Sequence, residues 1–402
     1  MKKKKNDQIL EGSRAVALTI KNIGPAVISA YPITPQTHIV EDLAKFKADG
    51  KANYEYIRAE SEFAAASIIE GASAQGVRVY SATSSQGILL MTEVLFNIAG
   101  MRLPVVITCA NRGVSAPITI WNDHQDAMTI RDSGWLQFFA ENHQEAVEQH
   151  ILAYKLAEKT NLPAIVNIDG FILTHSYEPV SIPDPAQIKK FLPAYKPKKN
   201  MFLDPKKPRT MGAFAPPASY MEIREELHQD LLDSINLIKK EYSRYLQIFG
   251  SNQHKSKSKI DNGLMEYYGP KYPKTLIVAM GSMVGTIKET IDKGKGKVGV
   301  LKLKTFRPFP SKDLKETIMN LNPKNIAVLD KAISLGQMGP LASDLRACFQ
   351  NSVANLKITR YHPEIQSFIV GLGGRDISKE KIRKVIDLAE KKNNNIHGTF
   401  IN

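Results

Sequence analysis

Residues 30–43 read AYPITPQTHIVEDL: the end of an apolar run, two prolines around one threonine, then apolar residues at 39, 40 and 43 in helical spacing. The residues just before, AVISAY, form a short buried strand by composition. A residue that precedes proline is driven toward extended backbone, so Tyr31 and Thr34 leave the strand without entering a helix. Pro35 suits a first helical position, and Thr34 suits the N-cap. Strand, stiff turn and helix follow one another within 20 residues, which is the repeating step of a parallel α/β sheet. Thr34 has two readings. It caps the helix, or it offers a hydroxyl to a ligand at the helix N-terminus.

The same step recurs on either side. GSRAVALTIKNIG, residues 12–24, reads as a helix that stops at glycine. Residues 61–74 are alanine-rich and helical; VRVYSA (77–82) is a strand, followed by the turn TSSQG (83–87) and a helix through Asn97. PVVITCA (104–110) and LPAIVNIDG (162–170) are further strands, with a long polar stretch to about Asp132 after the first. From about Asp184 the texture changes to proline and lysine, as in KKFLPAYKPKKNMFLDPKKPR (189–209), and a long polar helix follows over about 219–249. TLIVAMGSM, KVGVLKL and NIAVLD then resume the strand–helix alternation. The expected organisation is a parallel α/β domain over 1–250 that includes the excursion and long helix, a linker over 251–264, and a smaller α/β domain over 265–402.

The chain has 402 residues, a hydrophobic fraction of 43% and a formal net charge of +14. The charge raises nucleic acid as a partner, but the lysines are scattered or lie in apparent linkers such as Lys2–Lys5 and Lys255–Lys259, with no aromatic-interleaved stripe. No long uncharged apolar run suggests a membrane span, and no apolar segment follows the basic start as a secretory signal requires. The two cysteines, Cys109 and Cys348, are too few for an iron–sulfur cluster or a cysteine-based zinc site, and a reducing cytoplasm fits them.

Open parallel sheets bind ligands outside the carboxyl ends of their strands. Three loops leave that edge here, and they bring Thr34, Ser84, Ser85, Asn111 and Arg112 to it. An arginine beside hydroxyls at helix N-termini suits a carboxylate or phosphate; alternatively Arg112 makes a surface ion pair. Glu60 and Glu62 stand two apart, so on a helix only one of them aims into a buried site. The residues Ala64, Ala65 and Ala66 after Glu62 permit close approach of another element; the plain alternative is that both acids complement the helix dipole. WNDHQD (121–126) has no clear ligand spacing, and His124 reads as a hydrogen-bonded loop residue.

YPITP, ESE before the alanine-rich helix, SSQGILLM, ANRGVSAP, IWNDHQD and DGFILTHSYEPV occur in this order, followed by GSMVGT, TFRPFP, VLDKAISLGQMGPL and GLGGRDI. This ordered set strongly resembles the alpha subunit of 2-oxoacid:ferredoxin oxidoreductases, most closely those acting on pyruvate, over nearly the whole chain.

The resemblance implies a thiamine-diphosphate pyrimidine-binding domain followed by a transketolase-C-terminal-like domain. It implies oxidative decarboxylation of pyruvate, or of 2-oxoisovalerate or another 2-oxoacid, to an acyl-coenzyme A, with electrons passing to ferredoxin. It also implies beta-, gamma- and delta-type partner subunits that hold the magnesium and the [4Fe-4S] clusters; this chain lacks a Gly-Asp-Gly diphosphate motif and cysteine clusters. By residue, Glu62 takes the carboxyl that contacts the pyrimidine N1′, with Glu60 as second choice. Arg112 and Thr34 take the substrate carboxylate, Tyr31 and Asn111 border that pocket, and Ser84, Ser85 and Gln86 line the cofactor. Phe63 departs from the family, where a small residue commonly follows the glutamate. A non-catalytic scaffold subunit and a nucleic-acid binder are the competing classes.

Overall fold

A computed structural model describes residues 7–250, 260–294, 296–350, 363–391 and 395–402. Lys2–Lys5 and residues 251–259 of the expected linker lie outside the described residues.

The local signals that set the elements are visible one by one. The first helix, Gly12–Ile23, ends at Gly24 in the left-handed conformation at φ 72°, where a side chain would be strained. The helix Glu62–Ala74 starts at Ser61, whose Oγ accepts from the Ala64 N–H at 3.1 Å. The helix after the opening stretch runs Thr37–Ala48, with Gln36 at its N-cap and no side-chain cap. Thr34 is therefore not the cap. It sits three residues before the helix in a turn whose Thr34–Pro35 bond is cis.

Seven strands form the first sheet, in the order Thr305–Arg307, Leu136–Phe139, Ala164–Asp169, Val106–Asn111, Val79–Thr83, Val27–Ala30 and Glu55–Arg58. All neighbours are parallel except the Thr305–Arg307 edge strand. Helices cover both faces. Glu62–Ala74 and Gln86–Gly100 pack on one, while Gly12–Ile23, Thr37–Ala48 and His143–Thr160 pack on the other. The central strands are buried along their whole length and carry β-branched residues, as strands covered on two faces must.

Among the elements absent from the sequence reading are a strand of the first sheet and a helix packed on it. LQFF at 136–139 is a fully buried strand, too short to show a period. The helix His143–Thr160 buries polar residues such as Glu148 and His150 along with its apolar ones, so no amphipathic pattern marks it. The proline- and lysine-rich excursion folds onto the body: the Leu203 N–H donates to the Ala74 carbonyl at 2.7 Å. The 33-residue helix Pro217–Phe249 that follows buries Leu227, Ile238, Tyr242 and Tyr245 against it.

A second sheet has the order Thr399–Phe400, Glu364–Ile369, Asn325–Asp330, Thr275–Ala279, Val298–Leu303 and Met265–Tyr268, with Met265–Tyr268 the antiparallel member. The chain crosses between sheets at Thr305–Arg307, which follows Val298–Leu303 yet pairs with Leu136–Phe139 of the first. Among the described residues no helix is long and apolar enough to cross a membrane.

Candidate functional site

Val106–Asn111, Val79–Thr83 and Val27–Ala30 are adjacent and parallel, so the three loops after them rise from one edge. Gln36, fully buried, ties two of them: its Nε2 donates to the carbonyls of Tyr31 and Ala82, both at 2.9 Å. Gly170 lets the Pro35 turn come close, since a Cβ there would lie 2.6 Å from Pro35 Cγ and 2.5 Å from the Asn111 carbonyl.

Arg112 follows directly on its strand and is 7% exposed. Its Nη1 donates to the Thr34 carbonyl at 2.8 Å and its Nε to the Thr119 carbonyl at 2.7 Å. No carboxylate pairs with the guanidinium among the described residues, and burial lowers its proton affinity from the usual value. A shielded cation held only by neutral carbonyls is poised for an anion. The expected pair of Arg112 and Thr34 thus meets, but through the Thr34 main chain; the Thr34 residue itself is exposed.

Glu62 is the first residue of its helix and is 7% exposed, whereas Glu60 is exposed. The Glu62 carboxylate makes no hydrogen bond or ion pair with another described residue. It lies against Gly87 of the TSSQG turn: a Cβ on Gly87 would lie 2.8 Å from Glu62 Oε1 and would strike Thr83 Oγ1. Only glycine keeps that carboxylate accessible from the turn. Beside it, Thr83 Oγ1 and Ser84 Oγ are fully buried hydroxyls without a partner. A buried free carboxylate, two orphaned hydroxyls and a glycine turn fit a polar ring system bearing donors and acceptors.

Ser85 and Asn111 do something else. Ser85 adopts φ 44°, ψ −122°, a conformation strained for a residue with a side chain. Its Oγ donates to the Gly113 carbonyl at 2.6 Å, so its hydroxyl is spent on the neighbouring loop. Asn111 Nδ2 donates to Asp126 Oδ1 at 3.0 Å and Asn167 Oδ1 at 3.1 Å, below the edge. Gln86 Oε1 lies 2.6 Å from Ser85 Oγ, and the residue stays partly exposed; Tyr31 is 39% exposed at the rim.

Asp126 was missed in the sequence. Fully buried, it accepts through Oδ2 from the main-chain N–H groups of Ser85 at 3.0 Å and Arg112 at 2.9 Å. Its Oδ1 accepts from Asn111 and from the Ala127 N–H at 2.7 Å. Burial pushes its pKa up to about 6 against the pull of those donors. One carboxylate thus fixes the backbone of two site loops. His124, read as a loop residue, is hydrogen-bonded at Nε2 to Asp169 Oδ1 at 2.6 Å. Asp169 also takes Lys331 Nζ at 2.9 Å and the Ser282 N–H at 3.1 Å, so the strand ends of both sheets meet there.

An open, mostly parallel α/β sheet with an anion-ready arginine and a free buried carboxylate at one strand edge defines a class of ligand-binding protein. Residues 19–243 match the family model for the thiamine-diphosphate-binding part of pyruvate flavodoxin/ferredoxin oxidoreductase, and residues 274–382 match core domain II of pyruvate:ferredoxin oxidoreductase. The chain belongs to the 2-oxoacid:ferredoxin oxidoreductase family and is an oxidoreductase subunit of that family.

It is 46% identical over 393 residues to a Methanosarcina barkeri protein, pyruvate synthase subunit PorA, covering 95% of this chain and 92% of that one. Its identity to pyruvate synthase subunit PorA of Methanocaldococcus jannaschii is 44%, covering 96% of this chain and 95% of the relative. Against ketoisovalerate oxidoreductase subunit VorA of Pyrococcus horikoshii it is 37%, covering 96% and 94%. A solved 2-oxoglutarate:ferredoxin oxidoreductase from Magnetococcus marinus, described with 2-oxoglutarate, coenzyme A and succinyl-CoA bound, shares the fold with a TM-score of 0.69 at 20% identity. That match covers 95% of this chain and 65% of the other.

Proposed function

We propose that this chain is the thiamine-binding half of a pyruvate:ferredoxin oxidoreductase, completed by partner subunits. The observation that carries the reading is a pair of charges on one sheet edge: the Glu62 carboxylate and the Arg112 guanidinium, each 7% exposed and without an ion-pair partner among the described residues. Thiamine diphosphate, when bound, supplies the carbanion equivalent that decarboxylation of a 2-oxoacid requires. Glu62 shares a proton with the pyrimidine ring at N1′, and the Thr83 and Ser84 hydroxyls offer polar contacts beside it. Arg112 holds the substrate carboxylate, with the Thr34 hydroxyl and Tyr31 on the same rim. Asn111 and Ser85 position the loops.

Pyruvate is favoured over 2-oxoisovalerate by the higher identity to pyruvate synthase subunits, 46% against 37%. Two cysteines, one of them buried in the core, favour placing the [4Fe-4S] clusters on gamma- and delta-type subunits and the magnesium on a beta-type subunit. Unpaired cysteines also favour the cytoplasm. The boundaries of the two domains fall at about 250 and 265 in this reading.

Co-purification of the assembled complex, with thiamine and iron analysis and assays on several 2-oxoacids, is the test. Ferredoxin reduction should require pyruvate and coenzyme A and be absent from the isolated chain. Turnover or stoichiometric iron in this chain alone would overturn the reading. A scaffold role predicts unchanged turnover in Glu62→Gln.

A further inference from the structure

We propose that Glu11, His38 and His175 form a binding site for a borderline divalent cation of the zinc(II) type, made of residues other than those assigned to the thiamine half-site. One ligand atom from each of the three lies within 4.8 Å of the others. Three different elements deliver them. Glu11 ends the strand Asp7–Glu11, His38 is in the first turn of the helix Thr37–Ala48, and His175 precedes the strand Tyr177–Ser181. The antiparallel register pairs Glu11 with Tyr177, which brings His175 to within two residues of Glu11's partner.

The donor chemistry is specific. Two imidazoles and one carboxylate suit zinc, cobalt or nickel rather than magnesium or calcium, which prefer all-oxygen shells. Three protein ligands leave a fourth tetrahedral position for water. Ligand atoms around such an ion stand roughly 3.4 Å apart, given bond lengths of about 2.0–2.1 Å, so the present spread closes with side-chain adjustment alone.

A supporting shell is present too. His175 Nδ1 lies 2.7 Å from Thr174 Oγ1, which orients the ring and leaves Nε2 for a metal. The ring also rests on Phe171, with centroids 4.7 Å apart, and on His38, at 4.6 Å. Burial, and His38 beside it, lower the His175 pKa, which favours the neutral ligating form. Glu11 Oε1 lies 2.6 Å from His38 Nδ1; without an ion, this contact is a plain hydrogen bond.

The test uses the tag-free full chain, stripped with a chelator and titrated with zinc chloride by calorimetry. One ion per chain is expected, with a rise in melting temperature on binding. Glu11→Gln and His175→Gln should each weaken binding by at least about 10-fold and lose the thermal shift, while the exposed His228→Gln should not. Circular dichroism checks each variant's fold, and if one misfolds the other is read. The absence of saturable binding, or binding unchanged in both variants, overturns the proposal.

Discussion

Glu62 and Asp126 are both buried carboxylates, and their surroundings give them opposite uses. Glu62 has no partner among the described residues, so its free energy is best lowered by a ligand. In the assembled complex Glu62→Gln keeps the shape and loses the carboxylate proposed to share a proton with the cofactor. A turnover loss of about 100-fold or more is expected, whereas Glu60→Gln, at an exposed position, should do far less. Steady-state ferredoxin reduction measures both, and the reverse ranking would refute the assignment. Asp126 instead accepts from N–H donors at each oxygen. An amide there turns one acceptor into a donor facing donors, whichever way it flips. Asp126→Asn should therefore cost about 1–3 kcal/mol in a denaturant melt, and more than a comparable change on the surface.

At the scale of elements, two helix starts that look alike in sequence differ in kind. Ser61 caps its helix through Oγ, so Ser61→Ala should lower stability by about 1 kcal/mol. Thr34 precedes a helix whose N-cap position is Gln36 and which has no side-chain cap, and it lends only its carbonyl to Arg112. Thr34→Val should leave the melting temperature within error. If its hydroxyl meets the substrate carboxylate, kcat/KM for pyruvate should drop by the equivalent of roughly 1–3 kcal/mol. A lowered melting temperature with unchanged kinetics would return Thr34 to a purely structural role. Arg112→Lys keeps the charge but loses the planar fork that reaches two carbonyls, and a higher KM for the 2-oxoacid is the expected result.

Across the whole molecule, the two sheets are joined where their strand ends meet. Lys331 Nζ, Asp169, His124 and Asn122 form one buried polar knot, each at most 2% exposed. Burial alone would raise the Asp169 carboxyl, but Lys331 and His124 beside it prevail and hold it well below the ordinary carboxylate value. A depressed carboxyl contributes stability above its unfolded pKa and loses it as the pH falls. The melting temperature should thus decline progressively below about pH 4, by the part Asp169 supplies. Lys331→Met strands the carboxylate and should cost about 3–5 kcal/mol at neutral pH. Thermal melts of both proteins across pH 2–7 would show the variant less sensitive to acid.

The local grammar of this chain was legible without coordinates. Strand, turn and helix recur because burial on two faces demands apolar runs, and because glycine at 24 and serine at 61 end and start helices by contacts a few residues long. Those same runs placed Thr34, Ser84, Ser85, Asn111 and Arg112 on one edge, since all parallel strands end on the same side. Nothing local, however, says that Thr305–Arg307 crosses to the other sheet, or that LQFF lies buried beside Ala164–Asp169. Asp126 looked like any loop acid until its oxygens met the backbone of Ser85 and Arg112. Glu11, His38 and His175 stand far apart in sequence and meet only because an antiparallel pair of sequence-distant strands packs against a helix start. Period and caps act over one or two turns and are written in neighbouring residues. Burial, orphaned polar atoms and converging side chains arise from contacts between distant segments, and only the tertiary structure decides them.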